Sequence, residues 1–169
     1  FLTGLTIKKV NAVMSKSSIH PQITDNVNMW LQFENDVRGD FWFSKSAIGH
    51  RNGLRINIYG KKGSAEWIQE NPEFLSIALN TGERKIIERG CATKVAQESR
   101  YNRFRSGHPS GFIEAFSNVY QDIGKSIVSF KEKSDNKENY VFGIDHSIEG
   151  LLLFEKAVES NKSGTWVRL

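Results

Sequence analysis

The stretch Met29–Ser44, with the sequence MWLQFENDVRGDFWFS, decides how the first half of the chain folds. It contains two runs in which every second residue is large and apolar, first Met29, Leu31 and Phe33 and then Phe41 and Phe43. This period of two is typical of half-buried β-strands. Asn35 and Asp36 lie between the runs and favour a tight hairpin turn, because both residue types tolerate a positive φ. The stretch therefore predicts two antiparallel strands joined by a short turn.

The same alternation extends over most of the first half. Leu54, Ile56 and Ile58 form a further alternating run, which ends at the turn signal Gly60-Lys61-Lys62-Gly63. One longer and three weaker strand patterns complete the series: Lys8–Met14, Ser64–Gln69, Phe74–Leu79 and Glu83–Glu88. Together these runs predict a meander of six or seven mostly antiparallel strands.

The second half changes to a helical period. Apolar residues spaced three and four apart mark one face of a long helix: Phe112, Phe116, Val119, Ile123, Ile127 and Phe130. Pro109 suits the first turn of this helix, where a missing N–H costs nothing. A periodic face of this kind predicts packing against the sheet.

A second helix is predicted over His146–Asn161, with Asp145 as its N-cap. We expect its core face to carry Leu151, Leu152 and Val158. The last five residues, TWVRL, are typical of a short closing strand. The order of elements predicts an α+β fold, in which a large, mostly antiparallel open sheet has its helices packed on one face.

Several of the predicted strands carry large residues on both faces. Trp30, Trp42 and Tyr59 lie opposite the aliphatic rows, where a sheet with one solvated face would be more polar. We therefore expect the second face to meet another domain, a second subunit or a ligand. The alternative is that these are scattered surface aromatics, which are normal on soluble proteins.

The composition excludes several classes of protein. The net charge of +4 is spread along the chain, so the basic stripe of a nucleic-acid binder is missing and we predict no nucleic-acid partner. No apolar run approaches the roughly 20 residues that a membrane span needs, so we predict no membrane association. The single cysteine, Cys91, cannot form an internal disulfide, which favours a reducing, cytoplasmic location. The chain opens with FLTG and lacks an initiator Met, as a cut inside a larger protein would leave it.

The segment Arg103–Glu114, RFRSGHPSGFIE, is the strongest candidate for a ligand site. Gly107 and Gly111 permit close approach of a backbone or a ligand on either side of His108, and Arg105 could donate forked hydrogen bonds to hydroxyls or carboxylates. The same residues also fit a turn that only begins a helix, and the sequence pattern leaves both readings open. We predict no metal site, because no two of the four histidines share a metal-ligand spacing.

Five stretches follow one another in a particular order: FLTGL, LQFENDVRGDFWFSKSA, LRINIYGKKGSAEW, SGHPSGFIEAFSNVYQDI and IEGLLLFEKAVESNKSGTWVRL. In this order they resemble the C-terminal domain of the Gfo/Idh/MocA oxidoreductases, the NAD(P)-dependent dehydrogenases named after glucose–fructose oxidoreductase and inositol dehydrogenase. The resemblance covers nearly the whole chain. Its most specific block is G-H-P-x-G-F-x-E-A-F-x-N-x-Y, while Y-G-K-K-G-S and E-S-x-x-S-G-x-W-V add order and spacing.

The resemblance implies a single C-terminal substrate-binding and oligomerisation domain over residues 1–169, with a fold like that of the C-terminal domains of dihydrodipicolinate reductase and glyceraldehyde-3-phosphate dehydrogenase. The family's N-terminal Rossmann domain, its Glu-Lys-Pro motif and its D-x-x-x-H motif are absent from this sequence. We therefore expect no catalytic residue, no bound cofactor and no hydride transfer in this fragment alone. The full-length protein is expected to bind NAD or NADP.

The resemblance also implies which residues meet the substrate, a sugar, cyclitol or related polyol. His108 matches a position near the substrate pocket, and Arg105, Trp42 and Ser44 are further candidates. The implied protein is a dehydrogenase of CH–OH donors that forms a homo-oligomer through the sheet face. The alternative is a non-catalytic protein-interaction module built on the same sheet.

Overall fold

A computed structural model describes residues 2–94, 96–108, 110–134 and 140–169. Within them the chain forms eight strands and two long helices, in the order β1 Ile7–Ser15, β2 Asn26–Phe33, β3 Arg38–Ser44, β4 Arg55–Gly60, β5 Gly63–Ile68, β6 Phe74–Leu79, β7 Arg84–Glu88, α1 Phe112–Lys131, α2 Ile144–Ser163 and β8 Val167–Arg168. Every strand pairing is antiparallel, which confirms the predicted α+β class.

The chain divides into two compact units, each with its own sheet. The first unit comprises Phe1–Gly49 and Phe142–Leu169, and the second comprises His50–Val141. The first sheet has the strand order β3-β2-β1-β8 and the second has the order β4-β5-β6-β7. The predicted strands are thus shared between two four-stranded sheets, where the sequence suggested one larger sheet.

The predicted hairpin joins β2 to β3 in the first unit. Asn35 and Asp36 have φ values of 56° and 55°, and the N–H of Val37 donates to the carbonyl oxygen of Glu34 over 3.3 Å. Positive φ at both central residues is the feature of the turn type that matches the twist of a hairpin. The prediction from Asn35-Asp36 is confirmed.

The core of the first unit lies between α2 and one face of its sheet. The register pairs Val10 with Leu31 and Ala12 with Met29, so these side chains share a face. All four are buried, and Ala157 of α2 is buried with them. Trp30 and Trp42 lie on the opposite face, as predicted, because they alternate with the core residues along their strands.

The face of α2 that packs on this core differs from the predicted one. Leu151, Leu152 and Val158 are 68%, 37% and 42% exposed, so their assignment to the core was wrong. The packed face instead contains Leu153, Ala157 and Ser160. Hydrogen bonds between α2 and β1 account for this orientation of the helix. Ser160 Oγ accepts one from the N–H of Ala12 over 3.0 Å. Asn161 Oδ1 accepts one from the N–H of Met14 over 2.8 Å, and these two bonds turn α2 toward the edge of β1.

The beginning of α2 also differs by two residues from the prediction. The helix starts at Ile144 with Gly143 as its N-cap, and no side chain caps it. Asp145 therefore lies inside the first turn, and its assignment as the N-cap was wrong. Its carboxylate remains favourable there, because the first turn carries the positive end of the helix dipole.

The second unit buries polar side chains where a core was expected. The apolar face predicted for α1 is present, but its six residues are 38–85% exposed: Phe112, Phe116, Val119, Ile123, Ile127 and Phe130. The described residues of this unit that are buried are Asn118 and Asp122, both on α1. The helix prediction is confirmed, whereas its packing prediction is not. The prediction for Pro109 concerns a residue outside the described ranges.

Neither helix in the described part of the chain is long and apolar enough to cross a membrane.

Candidate functional site

His108 lies in the segment between β7 and α1, in a tight turn with Arg105. The N–H of His108 donates to the carbonyl oxygen of Arg105 over 3.1 Å, and His108 Nδ1 lies 3.3 Å from the same oxygen. Gly107 has φ of 86°, a conformation that glycine adopts without steric cost. The backbone of the turn is thus fixed while the imidazole stays exposed to solvent.

The contact of the imidazole with the carbonyl oxygen of Arg105 is a hydrogen bond in the tautomer that carries its proton on Nδ1. A carbonyl oxygen can only accept a hydrogen bond, so His108 Nδ1 must carry the proton when this bond forms. The neutral ring then has its lone pair on Nε2, which can accept a hydrogen bond from a hydroxyl group.

Glu114 caps the beginning of α1, directly after this turn. Its Oε2 accepts a hydrogen bond from the N–H of Gly111 over 2.9 Å. This bond, together with one to its own N–H, lowers the pKa of the Glu114 carboxyl, and the nearby Arg103 and Arg89 lower it further. Glu114 therefore has a structural role at the helix start.

Trp42 and Ser44 lie in the first unit, two residues apart on β3. The indole Nε1 of Trp42 donates to Asn26 Oδ1 over 2.9 Å, and the side chain is 56% exposed. Ser44 Oγ accepts a hydrogen bond from the N–H of Ser46 and lies 3.1 Å from Ser46 Oγ. The structure therefore brings His108 and Arg105 together in one turn of the second unit, and it places Trp42 and Ser44 in the other unit.

A polar cluster on α1 was not predicted from the sequence. Arg100 makes two hydrogen bonds with the carboxylate of Asp122, over 2.6 and 3.0 Å, and its guanidinium lies 5.2 Å from the ring centres of both Tyr101 and Tyr140. Asp122 is almost fully buried, and the pairing with Arg100 lowers the pKa of its carboxyl. Burial raises the pKa of the Tyr101 phenol. The sequence feature that could have indicated this cluster is Asp122, which follows Asn118 by about one helical turn.

An open cleft of about 560 Å³ lies beside this cluster. Its lining combines both signs of charge with neutral polar groups: Glu98, Ser99, Arg100, Gln121, Lys125 and Tyr140. Because the charge of Arg100 is already matched by Asp122, the cleft carries no excess charge that would select an anion. We read the cluster as the structural centre of the second unit.

The described residues offer no cradle for a dinucleotide at the glycine turn. Gly60 pairs with Gly63 across the β4–β5 hairpin, so the segment joins two antiparallel strands, whereas a phosphate-binding loop leads from a strand into a helix. The same described ranges contain no cluster of His, Cys, Asp and Glu that could hold a metal ion.

This chain is similar to a known protein family, to a bacterial oxidoreductase and to solved structures. The family model of the GFO/IDH/MocA C-terminal domain matches residues 1–66. The uncharacterised oxidoreductase YfiI of Bacillus subtilis (strain 168) is 29% identical over 148 residues, which are 86% of this chain and 38% of that protein. The crystal structure of an oxidoreductase from Sinorhizobium meliloti matches with a TM-score of 0.86 and 27% identity, over 99% of this chain and 48% of that one.

An inositol dehydrogenase homologue from Azotobacter vinelandii shares the same fold. Its complex with NAD⁺ matches with a TM-score of 0.90 and 24% identity, over 99% of this chain and 44% of that one. Its complex with NADH and myo-inositol matches with a TM-score of 0.81 and 24% identity, over 99% and 45%. This chain thus spans less than half the length of these relatives. The family match over residues 1–66, the similarity to YfiI and the fold shared along the chain make this chain similar to the C-terminal domains of the GFO/IDH/MocA oxidoreductases.

Proposed function

We propose that this chain is the substrate-binding domain of an NAD(P)-dependent dehydrogenase that acts on a secondary hydroxyl of a sugar, cyclitol or related polyol. The observation that carries the proposal is the His108 turn, in which an exposed imidazole is left with a hydrogen-bond acceptor at Nε2. The names of the relatives support the substrate class, since one is an inositol dehydrogenase homologue solved with NADH and myo-inositol.

In this proposal His108 positions the substrate. Its Nε2 accepts a hydrogen bond from one substrate hydroxyl, and the guanidinium of Arg105, in the same turn, donates to a second oxygen. Trp42 and Ser44 stay predicted substrate residues, and the polar atoms of both already make hydrogen bonds within the first unit.

The cofactor belongs to the rest of the full-length protein. When bound, NAD or NADP would accept the hydride from the substrate carbon. In this proposal the cofactor is held by the Rossmann domain of the full-length protein, so no step is derived through it here. We include both units in the one domain, and we place the protein in the cytoplasm, where the thiol of Cys91 would stay reduced.

The outer face of the first sheet is the proposed contact between two copies. Trp30, Trp42 and Val13 are 47%, 56% and 52% exposed on this face, and strand partners such as Asn28 lie among them. Aromatic residues with few charges are typical of the core of a protein–protein interface. A second copy can match this face, because a two-fold interface needs the same patch on both partners.

The alternative is a non-catalytic interaction module. The exposed apolar face of α1 favours it, because a periodic stripe of this kind normally packs against another protein surface. A measured dehydrogenase activity that depends on His108 would exclude this alternative.

The test uses the full-length protein with NAD⁺ and NADP⁺ and a panel of cyclitols, aldoses and polyols. With the substrate that gives turnover, His108→Ala should lower kcat/KM about three- to tenfold, the worth of one hydrogen bond to a neutral hydroxyl. His20→Ala is the matched control, since His20 is exposed on a loop of the other unit. Kinetics of His108→Ala equal to those of the wild type would remove His108 from the substrate site.

A further inference from the structure

The turn that carries His108 is attached to the second sheet by a largely buried ion pair, Glu73 with Arg89. Arg89 directly follows β7 and Glu73 directly precedes β6. Arg89 Nε donates to Glu73 Oε2 over 2.6 Å, and the two side chains are only 14% and 21% exposed. The N–H of Arg89 also donates to the carbonyl oxygen of Glu73 over 2.9 Å. The pair is therefore fixed by both backbone and side chain at one end of the sheet.

The free end of the guanidinium holds the turn at two points. Arg89 Nη1 donates to the carbonyl oxygen of Phe104, and Nη2 donates to that of His108, both over 2.8 Å. A third, longer contact reaches the carbonyl oxygen of Tyr101 at 3.4 Å. The carbonyl group of His108 itself is thus bound to the sheet, which fixes the place of its Cα and the direction from which the imidazole leaves the backbone.

The carboxylate holds the turn from the other side. Glu73 Oε1 accepts a hydrogen bond from the N–H of Ser110 over 3.3 Å. Ser106 Oγ adds a separate bond to Glu88 Oε1 over 2.7 Å. Residues before and after His108 are therefore both attached to the β6–β7 end of the sheet.

This geometry requires an arginine. The guanidinium is planar and presents donors on three nitrogens in fixed directions, so one side chain can bind a carboxylate and two carbonyl oxygens at once. A lysine ammonium is a single point donor and can keep only part of this set. The chain offers a comparison on the same sheet: Arg55 and Glu70 also form an ion pair, but at 3.5 Å with side chains 56% and 48% exposed.

We propose that the Glu73–Arg89 pair is the positioning device of the substrate site, which holds the His108 turn in the geometry that receives a hydroxyl. The proposal rests on the proposed function of His108. Arg89 and Glu73 are positioning residues, since they act through the backbone of the turn and leave the contact with substrate to the imidazole.

The first experiment measures the turn without reference to catalysis. Hydrogen exchange of the full-length protein is followed by mass spectrometry on the peptide that spans Phe104–Gly111. In Arg89→Lys we expect amide exchange of this peptide to be faster by about tenfold or more. The turn could then open without breaking the two hydrogen bonds that Arg89 donates to the carbonyl oxygens of Phe104 and His108. Glu73→Gln, which keeps an acceptor oxygen but loses its charge, should show a smaller increase. Arg55→Lys, the matched control, should leave this peptide unchanged.

The second experiment asks whether the pair acts through His108. Arg89→Lys should lower kcat/KM by about three- to tenfold in the wild-type background, no more than His108→Ala does, and much less in the His108→Ala background, because coupled residues are not additive. Equal losses in both backgrounds would overturn the positioning role, and so would unchanged exchange of the peptide in Arg89→Lys. If His108→Ala alone has no kinetic effect, the proposed function of His108 fails, and the exchange measurement still decides whether the pair holds the turn.

Discussion

Gly63 is a residue whose lack of a side chain has a direct structural reason. A Cβ at this position would collide with the carbonyl oxygen of Ala78 on the neighbouring strand. At Gly60, the other glycine of the same hairpin, a Cβ would lie 3.6 Å from the nearest atom, the carbonyl oxygen of Gly63. The sequence predicted a turn at both glycines but could not distinguish them, because the obstacle comes from β6, which neither glycine precedes directly in the chain.

We expect Gly63→Ala to lower the free energy of unfolding by about 1–3 kcal/mol, the usual cost of forcing an atom into a packed site. Gly60→Ala should be neutral or slightly stabilising, because a tolerated alanine restricts the unfolded chain. Urea denaturation followed by tryptophan fluorescence measures both variants. Equal effects of the two substitutions would contradict the collision with Ala78.

Three carboxyl groups should make the protein sensitive to acid. The pKa of Asp25 is lowered by hydrogen bonds from Ser17 and Ser18, that of Glu114 by the N–H of Gly111, and that of Asp122 by Arg100. Each group therefore binds a proton more tightly in the unfolded chain than in the folded one. Their contribution to stability is present above the unfolded pKa of about 4 and is lost as pH falls through the folded pKa.

The free energy of unfolding should accordingly fall as pH is lowered from about 5 to 3, where ordinary carboxyl groups become protonated. Asp122→Asn should cost about 3 kcal/mol at neutral pH, as expected when a buried ion pair is broken, and should make the dependence on pH shallower. Denaturation in urea over this range tests both statements. A stability that is constant or rises toward pH 3 would contradict the lowered pKa values.

At the scale of elements, the sequence predicted where helices form better than which face packs. Both helices have a clear helical period, so their existence and approximate bounds could be predicted. The orientation of α2 could not, because hydrogen bonds from Ser160 and Asn161 to β1 override the larger leucines at positions 151 and 152. A pattern of hydrophobicity gives no weight to a serine that accepts a hydrogen bond from the backbone of a strand.

The motif E-S-x-x-S-G-x-W-V now has a structural reason. Ser160 Oγ donates to the carbonyl oxygen of Thr165 over 2.6 Å while it accepts from Ala12. Gly164 ends α2 with φ of 67°, in the left-handed region. The chain then turns into β8, where Val167 pairs with Val10. The contacts of the motif therefore end α2 and lead the chain into β8, which completes the first sheet.

The exposed stripe of α1 shows the limit of reading a core from periodicity. The six apolar residues are spaced correctly for a packed face, yet the described residues of the chain leave each of them at least 38% exposed. Periodicity indicates that an apolar helix face packs against another surface, but it does not identify that surface.

At the scale of the whole molecule, the sequence predicted the antiparallel meander but not its division. Alternation predicts each strand and its neighbour along the chain, and it contains no signal for a break between β3 and β4. The return of β8 to β1 is equally invisible, because the two strands stand at opposite ends of the sequence. The His108 turn was found through its glycines and histidine, whereas the Glu73–Arg89 pair joins residues too far apart in sequence for a local pattern to show.

The proposed dimer is the prediction that involves the complete protein. Trp30 lies between Asn11 of β1 and Asp40 of β3, so it is near the middle of the outer sheet face and 47% exposed. Tryptophan at such a position is a typical hot spot, worth about 2 kcal/mol or more. In a two-fold interface, Trp30→Glu would also place a charge from each copy in the contact.

We expect light scattering of the full-length protein to show a dimer for the wild type and a monomer for Trp30→Glu at the same concentration. Ile48→Glu is the matched control, because Ile48 is fully exposed outside the strands, and it should remain a dimer. A monomeric wild type would contradict the oligomer, and a dimer that tolerates Trp30→Glu would move the interface to another surface.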